Sequence, residues 1–242
     1  GPVEAGEDTQ IGTSAYNTSY NDNAHVGYMY GTSGSDTYEE THANINDSTI
    51  KGVLDQWYED NLASYSEYIS TEAGFCNDRT ISSTVSPSYG TLGYGTNATA
   101  YGAWGRLYEN NAWKTSVTPD LGCTNTNDLF TVSRSSKGNH ALDYPIGLIT
   151  SDEVVLAGGG FGRLANRGYY LHTRQTYWTM SPVNRELNHN HVTVFLNTSS
   201  GELGYYYVYN STFGVRPVIN LSSDVTLLGS GTSTDPYTVV GA

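Results

Sequence analysis

The strongest periodic signal in this chain is the apolar set Ile50, Val53, Leu54, Trp57, Tyr58 and Leu62, spaced i, i+3, i+4, i+7, i+8 and i+12. That spacing puts one apolar stripe along a helix. Asp47, Ser48 or Thr49 supplies its N-cap, and the stripe reads as core packing rather than a ligand groove. A second helix is announced by Thr150-Ser151-Asp152-Glu153, a capping box in which Thr150 and Glu153 satisfy backbone donors reciprocally. It runs through Val154, Val155, Leu156 and Ala157 and stops at Gly158-Gly159-Gly160, about two turns in all. Elsewhere the period is that of strands. His25-Val26-Gly27-Tyr28-Met29-Tyr30 alternates well enough for one strand inside a loop-rich segment over residues 1–45. After residue 165, Tyr177-Trp178-Thr179-Met180, His191-Val192-Thr193-Val194-Phe195-Leu196, residues 203–209 and Gly214-Val215-Arg216-Pro217-Val218-Ile219-Asn220-Leu221 read as strands. Pro217 places an edge or a bulge in the last of these. A hairpin closes the chain over 225–242, and residues 82–128 alternate rings and glycines as loop. No linker demands a boundary, so residues 1–242 are expected to form a single α+β domain.

Composition changes this picture in one respect. Only 37% of the 242 residues are hydrophobic and 14% charged, the remainder having gone to 27 Gly, 21 Tyr and many Ser, Thr and Asn. Abundant aromatics with sparse charge argue for a folded chain with an uncharged polar surface. Eleven basic against 24 acidic residues give a net charge of −13, which repels phosphate backbones and anionic lipid and excludes a nucleic-acid role. No apolar run approaches the roughly 20 residues needed to cross a bilayer. The polar start, Gly1-Pro2-Val3-Glu4, carries no export pattern, so any export signal is expected to have been removed or to lie outside this chain. Gly1-Pro2 fits a tag remnant equally well. Cys76 and Cys123, the two cysteines, are expected to form a disulfide, with two buried thiols as the rival.

Catalytic signatures are sparse. There is no nucleophile elbow, no zinc-protease helix motif and no phosphate loop between strand and helix, so no cofactor is expected. His189-Asn190-His191 with Glu186 invites a metal, since alternate strand residues share a face, but no second local pair completes a ligand set and no metal is expected. Asp55 and Glu59 stand four apart on the first helix and are expected to be solvated rather than a glycosidase pair. Residues 165–213 carry the richest set: Tyr169, Tyr177, Asn184, Arg185, Glu186, Asn188, His189, Asn190, Tyr205, Tyr207, Tyr209 and Asn210 are the candidate ligand-binding residues, within a binding region over 165–221. Tyr gives broad rigid contact at low entropic cost, and Asn and His give adaptable hydrogen bonds, the residue choice of antibody binding loops. Alternation sets Tyr205, Tyr207 and Tyr209 on one face and Tyr206 and Val208 on the other, one set being core.

The runs Tyr144-Pro145-Ile146-Gly147-Leu148-Ile149-Thr150-Ser151-Asp152-Glu153-Val154, Tyr177-Trp178-Thr179-Met180-Ser181-Pro182, Gly214-Val215-Arg216-Pro217-Val218-Ile219-Asn220-Leu221 and Gly229-Ser230-Gly231-Thr232-Ser233-Thr234-Asp235-Pro236-Tyr237 resemble bacterial pilin-like surface proteins, and Val26-Gly27-Tyr28-Met29-Tyr30-Gly31, Trp57-Tyr58 and Phe75-Cys76-Asn77-Asp78-Arg79 fit the same pattern. An aromatic-Ser-Pro strand, a polar loop and a Gly-Val-Arg-Pro-Val strand in that order are also similar to the C-type-lectin-like domains of formylglycine-generating-enzyme relatives and retroelement-diversified variable proteins. The resemblance implies a C-type-lectin-like fold, a bacterial cell-surface location, membrane attachment only through an N-terminal anchor that this sequence lacks, and changeable ligand-facing residues at 184–191 and 202–211. No calcium-sugar motif such as Glu-Pro-Asn is present, and neither cysteine matches the enzyme relatives' catalytic arrangement. The expected function is extracellular recognition of a protein or glycan without catalysis. Its rivals are a structural subunit of a filament or glycosylated coat, for which six Asn-x-Ser/Thr triplets including Asn97 and Asn210 would serve, and a glycan-acting enzyme.

Overall fold

The computed structural model describes residues 9–85, 88–109, 112–114, 116–161, 165–186, 188–232 and 234–242. In chain order the elements are β1 (Met29–Tyr30), α1 (Tyr38–Thr41), β2 (Asn46–Asp47), α2 (Thr49–Asn61), β3 (Phe75–Cys76), β4 (Thr99–Ala100), α3 (Gly102–Leu107), β5 (Tyr108–Glu109), β6 (Ala112–Trp113), β7 (Leu129–Phe130), α4 (Ser151–Leu156), β8 (Gly160–Phe161), β9 (Tyr177–Arg185), β10 (Val192–Asn197), β11 (Glu202–Tyr207), β12 (Leu227–Leu228) and β13 (Thr238–Val239). The class is α+β, with a sheet curled into a half-barrel. That sheet has the order β4-β9-β10-β11-β8, antiparallel throughout except where β8 joins β11.

Both faces of this sheet are covered, which is why β9 and β10 are buried along their whole length. Successive side chains alternate between two apolar clusters. Trp178, Met180, Val192, Val194 and Leu196 face Tyr16, Tyr28, Ile50, Leu54, Phe130 and Ile146. Val183, Phe195 and Leu203 face Trp104 and Leu107 of α3 and Val154 of α4. β9 passes through Pro182 without a break because the β9–β10 register shifts on both sides of Val194, the residue opposite that proline, so the missing N–H falls at an irregularity. The β10–β11 turn closes with Gly201 at φ +82, where a Cβ would meet the Asn166 carbonyl oxygen, so only glycine fits.

α2 and α4 form as their patterns predict, capped by Ser48 and by the Thr150/Glu153 box. Three other expectations are corrected. Residues 23–26 turn into a 3-10 helix capped by Asp22, leaving only β1 of the 25–30 strand. Residues 102–107, expected as loop, form α3 under β9. The 214–221 segment is not a ladder strand: Gly214 pairs with Thr13 and Tyr177, Val218 with Gly147, and Leu221 with Ile69, so it threads between four partners with one bridge each. Pro217, which has no N–H, sits between the bridging residues Gly214 and Val218.

Two further ties surround β3. Cys76 and Cys123 are disulfide-bonded, with Cα atoms 5.8 Å apart. Arg79, fully buried, donates Nε to Asp128 at 2.7 Å and Nη1 to the Met29 carbonyl at 3.0 Å, and its own backbone N–H donates to the other Asp128 oxygen at 3.1 Å. Asn77 between them accepts from the Tyr28 N–H and donates to the Met180 carbonyl. The 75–79 run is therefore a structural rivet.

Candidate recognition face

Along the far end of the sheet, three stretches remote in sequence meet. The β9–β10 turn is closed by the Glu186 N–H donating to the His191 carbonyl at 3.1 Å. Arg185, itself buried, braces it from beneath, donating Nη1 to the Glu186 carbonyl and Nη2 to the Asn190 side chain at 2.7 Å. Glu186 pairs with His189 Nδ1 at 2.8 Å. The segment leading into residue 22 then runs alongside: the Val192 N–H donates to the Tyr20 carbonyl, and the Asn17 N–H to that of Val208. Those two bonds deliver the Tyr20 ring to the turn.

The rings form one connected cluster. His191 lies 5.4 Å from Tyr20, 4.6 Å from Tyr207 and 5.3 Å from Tyr209, centroid to centroid. Tyr207 and Tyr209 are parallel within 2°, 5.8 Å apart, and His189 stacks on His191 at 6.5 Å. Tyr20 and Tyr209 remain 41% and 39% exposed. These spacings are those of offset or edge-on aromatic contacts, so the face is preformed. On its flank Tyr205, 38% exposed, stands edge-on to Trp104 at 4.9 Å. Burial, then the Glu186 carboxylate, pushes the Tyr205 and Tyr207 hydroxyls up from their ordinary value.

The sequence-predicted residues divide accordingly. Glu186, Asn188, His189, Asn190, Tyr205, Tyr207 and Tyr209 are brought together at this face, and Arg185 supports it. Asn184 lies beneath it: its amide donates to the Tyr89 hydroxyl at 3.2 Å and its carbonyl accepts from Thr193 at 2.6 Å, and it is 3% exposed. Tyr169 and Tyr177 are buried at the opposite end of β9, hydroxyl to hydroxyl at 3.5 Å, with Arg216 over the Tyr177 ring at 5.2 Å. Eight steps of about 3.3 Å along β9, from Tyr177 to Arg185, separate Tyr177 from the face by roughly 26 Å. Asn210 accepts from the N–H and hydroxyl of Thr212, closing the chain after Tyr209. Val208 is the core member of the 205–209 run, as the alternation requires, whereas Tyr206 on the same side sits at the margin against Phe213. Tyr20 was not legible as a site residue: it lies in a loop-like stretch, and only long-range backbone pairing carries it here.

Two other clusters of charge among the described residues are already committed. Among the described residues, Asp47, Asp55 and Asp143 form the one group of three acids close enough for a metal ion, but the buried ammonium of Lys51 stands among them at 3.2, 2.6 and 3.5 Å. Asp55 is thus not solvated as expected, whereas Glu59 is exposed as expected. A pocket of about 120 Å³ beside the disulfide is lined by Asp78, Arg106, Asp120 and Asp152. There Arg106 clamps Asp152 through two hydrogen bonds, 3.0 and 2.8 Å, and Asp78 at 2.9 Å, so those carboxylates are engaged. Among the described residues no helix is long and apolar enough to cross a membrane. No family model, curated protein or solved structure matches the chain.

Proposed function

We propose that this chain is an extracellular recognition module of a bacterial, pilin-like surface protein, binding a protein or glycan ligand through the face built by Tyr20, His189, Asn190, His191, Tyr205, Tyr207 and Tyr209. The observation that carries this reading is convergence: residue 20, the 186–191 turn and the 205–209 run bring exposed rings and amides to one preformed surface. Scattered exposed tyrosines need no explanation, whereas interlocked ones at a braced turn match the composition of binding loops. We read the scaffold as C-type-lectin-like, with membrane attachment through an N-terminal anchor outside this sequence. The Cys76–Cys123 disulfide supports an oxidising compartment. Recognition without turnover is favoured because the pocket acids Asp78 and Asp152 are held by Arg106 and Asp55 is held by Lys51. A glycosylated coat draws less support, since Asn17 and Asn197 of the triplets are buried.

The test is binding of the labelled full chain to an array that displays both glycans and cell-surface proteins. A signal lost in the combined His189→Ala, Tyr207→Ala, Tyr209→Ala variant, with its melting temperature retained, supports the reading. A signal indifferent to those changes, or none on either part of the array, overturns it.

A further inference from the structure

Resting on that reading, we infer that the ligand class of this face is a neutral glycan, held by ring stacking without a metal ion. The face offers flat rings, amides and phenols, and the guanidinium and the carboxylate of its turn already have hydrogen-bond partners. Arg185 spends its guanidinium on the Glu186 carbonyl and on Asn190, and the Glu186 carboxylate is paired with His189. The −13 net charge opposes an anionic ligand, and no free carboxylate of the turn waits for a cation.

Area separates the two remaining occupants. Tyr20, Tyr205 and Tyr209, each about 40% exposed, and the half-buried Tyr207 present roughly 300 Å² of aromatic surface, taking about 150–250 Å² for a whole aromatic side chain. A stable protein partner takes roughly 800 Å² from each side, so it would have to extend well beyond these four rings onto the polar surface around them. A pyranose needs one ring face: its axial C–H bonds, slightly positive, meet the negative face of a phenol, and its hydroxyl rim meets polar neighbours. Here that rim would be met by Asn188, Asn190 and His189 and by the phenol hydroxyls. Tyr207 and Tyr209 lie parallel at 5.8 Å, and His191 fixes both together with Tyr20, so little side-chain freedom is lost on binding.

Affinity electrophoresis of the full chain tests this, in gels containing xyloglucan, galactomannan, arabinoxylan, β-1,3-glucan or starch, with polygalacturonate and chondroitin sulfate as polyanions, each with and without EDTA. The expected result is retardation by at least one neutral polysaccharide, unchanged by EDTA. Tyr209→Ala or Tyr20→Ala should weaken it about tenfold, and Tyr209→Phe, which keeps the ring, by under about threefold. Retardation by none of the neutral polymers, by polyanions alone, only without EDTA, or equally in Tyr209→Ala overturns the glycan assignment. A face-dependent signal confined to the protein part of the array sinks this assignment and leaves the recognition reading standing, whereas silence on both parts removes the two together.

Discussion

The rings of Tyr20 and Tyr209, 189 positions apart in sequence, pack at 4.8 Å with a tilt of 55°. Because both are about 40% exposed, the contact adds little core burial and serves chiefly to fix two binding rings. A double-mutant cycle of Tyr20→Ala and Tyr209→Ala in urea unfolding is expected to give a coupling of about 0.5–1.5 kcal/mol, the range of aromatic pairs. Additive single changes would show that the rings do not meet in solution.

Lys51 should be the most sensitive charged side chain on α2. It is fully buried, and although burial pulls its ammonium down, hydrogen bonding to Asp55 and the charges of Asp55 and Asp47 prevail and raise it. Lys51→Met would leave Asp47, Asp55 and Asp143 converging without a cation. Asp47 and Asp143 are 44% and 76% exposed and only Asp55, at 15%, is left mostly buried, so a loss of about 1–3 kcal/mol in denaturant unfolding is expected. Lys51→Ala adds a second readout: the vacated space is bounded by three carboxylates within 4.8 Å of one another, so millimolar calcium should raise the melting temperature of this variant and leave that of the parent protein unchanged.

The sequence makes legible what periodicity and local chemistry control. α2, α4 with its capping box, the first half of β9, the β10–β11 hairpin and the closing hairpin were all readable, since each depends on neighbours a few residues away. Three things were not. α3 was hidden because Gly102 and Gly105 disguise a helix that is held by packing on β9 and not by propensity. The 214–221 run has strand composition, but its hydrogen bonds go to four remote segments. Tyr20 joins the face, and Tyr169 and Tyr177 leave it, because side-chain type is the same in both places and only the length of β9 separates them.

His42 gives the fold an acid-sensitive element. Its ring is 1% exposed, Nε2–H donates to the Gly93 carbonyl at 2.9 Å, and Nδ1 has no partner. Burial, then the Arg79 charge, pushes its pKa down to about 3. The native ring therefore stays neutral between pH 6.5 and 3, while the unfolded chain takes up a proton, and stability is full above pH 6.5 and lost as pH falls. The contribution is at most about 1.4 kcal/mol per pH unit across that window. Urea unfolding from pH 7 to pH 4 should show a slope shallower by up to that amount in His42→Asn, whose amide can still donate to Gly93. Identical slopes would show that His42 is protonated in the folded state.

The disulfide offers the sharpest division between fold and recognition face. Cys123 lies in a segment without helix or strand over 116–125, whose Leu121 is 57% exposed and which is also held by the Asp120 N–H donating to Asp152 at 3.0 Å and by Val117 against the cluster of Val183 and Phe195. On the other side, β3 pairs with β7 through two residues alone. Closing a loop of 47 residues removes unfolded-state entropy worth about 4 kcal/mol. Reduction should raise the mass by two hydrogens and lower unfolding stability by roughly that amount, and the Cys76→Ser, Cys123→Ser double variant should match the reduced protein. The buried Arg79–Asp128 pair next to β3 and β7 does not depend on the bridge, so the variant is expected to remain folded at low temperature. The ring cluster around His191 is built on β10, β11 and the segment ending at Tyr20, none of which the disulfide touches. Polysaccharide retardation of the reduced protein should then equal that of the oxidised form below its melting temperature, and a binding loss that precedes unfolding would place the bridge inside the recognition machinery.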